Sequence, residues 1–296
     1  MSPRAAPLLA AAVLGAVALV RADQTIPAPV KNSDLIVRIE PVGQMPSPDN
    51  PTSPAIVGGH LFLIEQTGII YDWDGATATE VLGPSNYPAG LNPVGREAIL
   101  NAAADASGSK FYVVFIASDP PDGIPTWTTP RADPDAWEVV YQYDLSGTAI
   151  ANPTPILALQ IRSAGHTGGG LVCLADGSIL LAVGDNGDAF QDGLVYPDDP
   201  TNHLGKILRI DPTGGSWQVV ARGVRNIQRL VVDGTGDAAR LNFVDIGGYI
   251  AEELDTIAVP DLIANGPANH FGWGEHAGDG HAREGTFFID PGGMSL

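Results

Sequence analysis

Residues 171–185 read LVCLADGSILLAVGD. Two short apolar runs flank Asp176-Gly177-Ser178. Asp and Ser bond their own backbone and Gly supplies positive φ, so the tripeptide is a tight turn and the stretch a β-hairpin. The second run, 179–185, is almost continuously apolar rather than alternating, the pattern of a strand buried on both faces. Similar runs recur at 61–65 (LFLIE), 111–117 (FYVVFIA) and 241–247 (LNFVDIG), with starts 50, 68 and 62 residues apart along the chain. The run 61–65, like 179–185, lacks alternation and is expected to be buried on both faces. The runs at 111 and 241 also follow turn-rich stretches, at 105–109 and 233–237, and the run at 61 follows Gly58-Gly59. Another short apolar run precedes each later turn, at 99–104, 171–175 and 228–232, and a further strand-like segment follows each main run, at 68–73, 137–145, 205–211 and 253–259. Each unit therefore reads strand, turn, strand, loop, strand, turn. A β-sandwich also has many short strands. Repetition in one internal order, at about 40–50 residues plus insertions, favours the blades of a β-propeller. The polar insertions 118–135 and 186–202 become loops on one rim, where function usually sits. No helix signal stands out in the blade region.

Composition agrees with an all-β fold. Of 296 residues, 36 are Gly and 25 Pro, while 44% are hydrophobic. That apolar content excludes disorder, and the absence of a G-X-Y period excludes collagen. The formal net charge is −19. Nucleic-acid binding needs a basic footprint to replace phosphate counterions, so nucleic acid is excluded as a partner. The N-terminus has Arg4, an apolar run at 8–20, and small residues at Val20 and Ala22, the pattern of a secretory signal peptide over 1–22. Thirteen apolar residues fall short of the roughly 20 a membrane span needs. Cleavage would remove two arginines and no acid, taking the charge from −19 to −21. The mature chain, 23–296, is expected to be a single propeller domain without a membrane span, periplasmic or secreted. Cys173 is the sole cysteine. No intrachain disulfide can form, and its apolar setting marks a buried hydrophobe rather than a reactive thiol.

Three stretches can carry chemistry. In 165–170 (GHTGGG), glycines around His166 let backbone approach closely. Asp185 ends the next strand of the same unit, so a hairpin can bring it to His166, where a carboxylate fixes the tautomer of an imidazole and stabilises its protonated form. In 221–226 (ARGVRN), Arg225 offers a cationic fork suited to a polarised carbonyl or a carboxylate. In 245–248 (DIGG), with Glu252 and Glu253 shortly after, carbonyls and carboxylates make the hard-oxygen environment that Ca²⁺ accepts. The bland readings of these stretches are a His in a Gly-rich turn, a surface Arg paired with an acid, and a β-turn with solvated glutamates. Residues 185–188 (DNGD) do not have EF-hand spacing.

Together these segments resemble the soluble quinoprotein sugar dehydrogenases, the glucose/sorbosone and aldose dehydrogenases that use pyrroloquinoline quinone. The matching pieces run in family order: HTGGGLVCLADGSILLAVGD from His166, then Phe190-Gln191-Asp192, LGKILRIDPTG from Leu204, ARGVRNIQRLVVD from Ala221, VDIGGYIAEELDTI from Val244 and NHFGWGE from Asn269. The resemblance implies a propeller of the six-bladed quinoprotein glucose dehydrogenase type, with about four to five blades in this chain and a C-terminal part lacking. It implies His166 as the base that takes the proton of a sugar's anomeric hydroxyl while hydride passes to the quinone C5, and Asp185 as the acid that orients this His. It implies Arg225 and Asn226 as contacts to the quinone carbonyl. Gly247 and Gly248 would bind the cofactor's Ca²⁺ through backbone carbonyls, and Glu252 and Glu253 a further calcium. A small-molecule sugar and a soluble electron acceptor would be the partners. The sequence departs from the family pattern at Gly165, where some members place a sugar-contacting acid, and in the segment 95–101. Only Arg283 is basic after Arg240, so family cations for the cofactor's carboxylates have no counterpart here. The other functional reading is a catalytically inactive propeller of the same ancestry, acting as a binding or interaction module. A segment at 34–42 is expected to supply a ring-closing strand.

Overall fold

The computed structural model describes residues 51–57, 59–94, 98–129, 136–161, 165–187, 196–246, 252–273 and 287–289. These form four sheets in chain order. The first holds β1 (Pro51–Val57), β2 (His60–Glu65), β3 (Ile70–Trp73) and β4 (Ala78–Leu82). The second holds β5 (Ile99–Ala104), β6 (Lys110–Ala117), β7 (Thr126–Trp127), β8 (Ala136–Ser146) and β9 (Ala149–Ile161). The third holds β10 (Gly168–Cys173), β11 (Ile179–Val183), β12 (Lys206–Ile210) and β13 (Trp217–Arg222). The fourth holds β14 (Ile227–Asp233), β15 (Arg240–Asp245), β16 (Glu252–Ala258) and β17 (Phe287–Ile289). Each sheet is an antiparallel meander, apart from β7, which pairs in parallel with the outer edge of β9. Successive first strands β1, β5, β10 and β14 contact one another, so four blades radiate from a common inner side. This is a four-bladed propeller arrangement, and the expected strand, turn, strand, loop, strand unit is present in every blade.

Among the described residues the core consists of three apolar layers, each between neighbouring blades. Phe62, Ile64, Phe111, Phe115 and Tyr141 join the first blade to the second. Val114, Ile116, Leu157, Leu181, Val183 and Leu208 join the second to the third. Leu180, Ala182, Ile207, Ile227 and Phe243 join the third to the fourth. Strand β11 shows why its sequence does not alternate. All five of its residues are fully buried, with Ile179, Leu181 and Val183 on one layer and Leu180 and Ala182 on the other. Each large side chain so placed contributes about 1.5–3 kcal/mol relative to exposure. The same expectation for 61–65 holds on one face only. Phe62 and Ile64 are fully buried, whereas Leu61 and Leu63 are half-buried, because among the described residues no blade covers the far side of β2.

The sequence pattern left out the outermost strands. Strand β9 carries Asn152, Pro153 and Pro155 in its exposed first half, which reads as a loop; at a sheet edge proline costs little, because its missing N–H faces outward. A short helix, α1 (Val259–Asn265), was also not expected. It has Pro260 in its first turn and buries Val259 and Leu262, but seven residues are too few for a helical period to emerge. Cys173 is partly buried against the layer between blades two and three, and burial pushes its thiol up to about 12, as expected of an unreactive position. Residues 1–22 and 34–42 lie outside the described residues. Among the described residues no helix is long and apolar enough to cross a membrane.

The loop between β11 and β12 is held from below by two buried polar groups. Lys206, fully buried, donates from Nζ to the carbonyls of Leu204 (2.6 Å), Tyr196 (2.7 Å) and Pro197 (3.0 Å). Burial pushes its ammonium down to about 7, opposed by the charges of Asp199 and Asp198. His203 donates from Nε2 to the Gln160 carbonyl at 2.7 Å, and burial pushes its imidazole down to about 4 from 6.5. Its folded value lies below its unfolded one, so between those values the unfolded chain binds a proton that the folded chain refuses. Stability is then expected to fall as pH drops from 6.5 towards 4, by about 3 kcal/mol at most. Urea unfolding of the wild-type chain and of His203→Gln, which keeps a donor but does not titrate, checks this. The variant should show a flatter loss over that window, and equal slopes would refute the assignment.

Candidate active site

Antiparallel pairing decides which loops meet. Gly168 at the start of β10 lies opposite Val183 at the end of β11, and Ile227 at the start of β14 lies opposite Asp245 at the end of β15. The segments entering the third and fourth blades therefore share one rim with the loops that follow β11 and β15. Glycines let these backbones touch. A Cβ on Gly184 would sit 1.8 Å from the His166 carbonyl oxygen, and one on Gly168, at φ 77°, would sit 2.5 Å from the Ala182 oxygen. His166 itself has φ 51° and Asn186 φ 56°, both in the left-handed region.

His166, Asp185, Arg225 and Asn226 come together there. His166 Nδ1 lies 3.2 Å from Asp185 Oδ1, and Arg225 Nη2 donates to His166 Nε2 at 3.0 Å. A guanidinium has only donors, so Nε2 is the accepting nitrogen and Nδ1 carries the proton, which it gives to Asp185. The sequence expectation that Asp185 sets the tautomer is thus matched by the geometry. Asp185 is 1% exposed, while the His166 side chain is 35% exposed: the carboxylate is inside and the imidazole faces the rim. Oδ1 of Asp185 also accepts the Gly187 N–H at 2.8 Å, and Oδ2 accepts Trp273 Nε1–H at 2.8 Å.

Arg225 donates Nη1 to the Ile246 carbonyl at 2.7 Å, and its guanidinium carbon stands 5.1 Å from the centroid of the Trp273 ring. Asn226 accepts the Gly168 N–H on Oδ1 at 3.0 Å, which fixes its amide and presents Nδ2 as a donor with no hydrogen bond among the described residues. Both residues are aimed from behind by Asp245, whose two oxygens accept the backbone N–H groups of Arg225 and Asn226, each at 2.7 Å. Burial pushes the Asp245 carboxyl up to about 7, with the charges of Glu253 and Asp255 adding and the two backbone N–H groups opposing.

The expected metal positions fare differently. Gly247 and Gly248 lie outside the described residues. Glu252 begins β16, and Glu253 faces Asp245 across the β15–β16 register. Among the described residues no group of three or more His, Cys, Asp or Glu is placed to hold a metal ion. Two members of the site were not assigned roles from sequence. Asp245 was read only as the first residue of the 245–248 stretch, a hard-oxygen environment or a β-turn, with no contact to Arg225 or Asn226, and Trp273 lies in the segment 269–275, remote in sequence from the other site residues. Its signal is an indole between two glycines, Gly272 and Gly274.

The four blades match the fold of solved sugar dehydrogenase structures. Residues 124–258 match the family model for glucose/sorbosone dehydrogenase. The chain is similar to the PQQ-bound aldose sugar dehydrogenase of Streptomyces coelicolor, at 25% identity and a TM-score of 0.56, covering 79% of this chain and 65% of that one. A putative oxidoreductase (glucose dehydrogenase) of Thermus thermophilus matches at 18% identity and a TM-score of 0.58, over 81% of this chain and 70% of that one. A further glucose dehydrogenase matches at 21% identity and a TM-score of 0.52, over 76% and 64%. The chain thus spans about two thirds of the length of these structures. No curated protein matches it. The family resemblance read from the sequence is borne out by the family match and by the fold.

Proposed function

We propose that this chain is an exported quinoprotein oxidoreductase that oxidises an aldose or related sugar, passing electrons to a soluble acceptor. The observation that carries the reading is the single hydrogen-bonded array Asp185–His166–Arg225 on the propeller rim. The donor set suits a quinone: Arg225 and Nδ2 of Asn226 would offer N–H groups to a carbonyl oxygen. When bound, pyrroloquinoline quinone would supply the hydride acceptor, with Ca²⁺ at the carbonyls of Gly247 and Gly248 as Lewis acid and a further calcium at Glu252 and Glu253.

The chain's own residues account for the proton. His166 Nε2 takes it from the sugar hydroxyl, and Asp185 stabilises the imidazolium that forms. Arg225 occupies Nε2 in the present geometry, so its Nη2 has to turn away before the base can act. The guanidinium stays tethered by Nη1 on Ile246 and by the Trp273 face, so Nη2 can turn while the group is held and would then be free to donate to a carbonyl of the bound cofactor. Reconstitution with pyrroloquinoline quinone and Ca²⁺, followed by an artificial-acceptor assay on a panel of aldoses, tests the proposal. Cofactor binding and turnover are expected together, and absence of both from a chain shown to be folded would leave the inactive binding module as the remaining reading.

A further inference from the structure

Residues 269–273 form a strap that crosses from the fourth blade onto the end of β13. Its backbone is zipped to residues 222 and 223. Arg222 N–H donates to the Asn269 carbonyl at 2.9 Å, Phe271 N–H to the Arg222 carbonyl at 3.0 Å, and Trp273 N–H to the Gly223 carbonyl at 2.9 Å. Its side chains are anchored separately. Asn269 Nδ2 donates to the carbonyls of Val220, Leu262 and Gly266 at 2.9–3.1 Å. His270 accepts the Gly272 N–H on Nδ1 at 2.9 Å, so its Nε2 carries the proton and donates it to Asp198. Phe271 meets Phe243 edge-to-face at a centroid distance of 5.0 Å. Gly223, at φ 69°, is needed for this fit, since a Cβ there would lie 2.6 Å from the His270 ring. The strap is therefore held by contacts that do not involve the indole it delivers.

That indole touches both halves of the site. Its Nε1–H takes Asp185 Oδ2, leaving Oδ1 directed at His166, and its face carries the guanidinium of Arg225. A buried carboxylate with one oxygen unmet would rotate about its terminal torsion, which is soft. With Oδ2 occupied, the Asp185–His166 contact has one geometry. The ring face likewise restrains the guanidinium plane by cation–π attraction. We infer that Trp273 is a positioning residue of the site, which locks the Asp185 carboxylate against His166 and seats Arg225, and that the 269–273 strap exists to deliver it. Its catalytic meaning rests on the proposed sugar oxidation, but its physical content does not need the cofactor.

The test is made on the cofactor-free full chain, so that failure of the proposed activity and failure of this inference are separable. In protein labelled with ¹⁵N-histidine, the exchange rate of the His166 Nδ1–H is read by NMR. Trp273→Phe keeps a ring for Arg225 and deletes the N–H donor. It should accelerate that exchange by about tenfold or more, the scale of losing one hydrogen bond to a charged group. In an Asp185→Asn background the same substitution should add nothing, because the oxygen it acts through has already been replaced. Acceleration below about threefold, or an equal acceleration in both backgrounds, overturns the inference. A second measurement needs no Trp273 variant: the Trp273 indole N–H resonance should shift and lose protection in Asp185→Asn, and an unmoved resonance would refute the contact. With cofactor and sugar added, Trp273→Phe should lower kcat more than it raises KM.

Discussion

Replacing His166 by asparagine is expected to lower turnover on the sugar substrate by about 10²–10⁴-fold while leaving the propeller folded and cofactor affinity close to the starting value. Asparagine is the informative choice because His166 sits at φ 51°. Among non-glycine residues asparagine tolerates the left-handed region best, whereas alanine there adds backbone strain to the chemical loss. The His166 carbonyl, which accepts Asn186 N–H at 3.1 Å and Asn186 Nδ2 at 3.3 Å, keeps its partners in the variant. Only the imidazole is removed, and with it the acceptor that Arg225 Nη2 uses in the resting geometry. Arg225 stays tethered through Ile246 and Trp273, so the contact proposed for it with a quinone carbonyl should persist. Single-turnover reduction of the reconstituted protein separates the two effects: binding of the cofactor by spectroscopic titration, and the rate of its reduction by sugar. A variant that reduces the cofactor at the wild-type rate would remove His166 from the mechanism and favour the binding-module reading.

The fold was legible because blades bury their strands on both sides, and double burial writes itself as unbroken apolar runs. The extents 99–104 and 111–117 coincide with β5 and β6 to within a residue, and 179–185 contains the whole of β11. Where a strand lies at the outer edge, one face meets solvent or a loop and the pattern weakens, which is why β4 and β13 escaped, while the buried second half of β9 is masked by its exposed, proline-bearing first half. The first blade shows the converse: 61–65 reads as doubly buried, yet Leu61 and Leu63 are only half-covered among the described residues. For the site, His166 and Asp185 were readable because one hairpin joins them, 19 residues apart. Arg225 stood out as a cationic fork, but its place at this site, like that of Asn226, rested on resemblance, since 59 residues separate Arg225 from His166 and no local pattern foretells that contact. Trp273 lies in the quoted segment NHFGWGE, but it is 88 residues from Asp185 and its contact there was beyond reach for the same reason. Asp245 was hidden by the ordinariness of its role. A carboxylate that caps two backbone N–H groups is indistinguishable in sequence from one ending any strand.

Gly184→Ala should damage the protein more than any single loss of a site side chain. The added methyl would stand 1.8 Å from the His166 carbonyl oxygen, 2.6 Å from its carbonyl carbon and 2.9 Å from the Gly168 nitrogen. All three are backbone atoms, so no rotamer change can make room. The 166–168 segment would have to lift away from β11, and it is held there by Gly184 N–H on the Thr167 carbonyl at 2.9 Å and Asn186 N–H on the His166 carbonyl at 3.1 Å. Lifting it breaks those bonds, parts His166 from Asp185, and also strains the Gly205 N–H bond to the Gly184 carbonyl, 3.0 Å long, that ties in the loop above Lys206. Overpacking in a fitted core costs about 1–3 kcal/mol, and a backbone collision of this depth lies at or beyond the top of that range, so about 3 kcal/mol or more is expected. Gly177→Ala is the matched control on the opposite end of the same hairpin. Gly177 has φ 86° but nothing within 4 Å of its Cβ position, so its substitution costs only the strain of a left-handed alanine, about 1–2 kcal/mol. Urea unfolding of both variants at neutral pH measures the difference. Equal destabilisation would show that the close approach of the His166 and Gly184 backbones costs no more than the left-handed φ at Gly177, and is not what builds the rim.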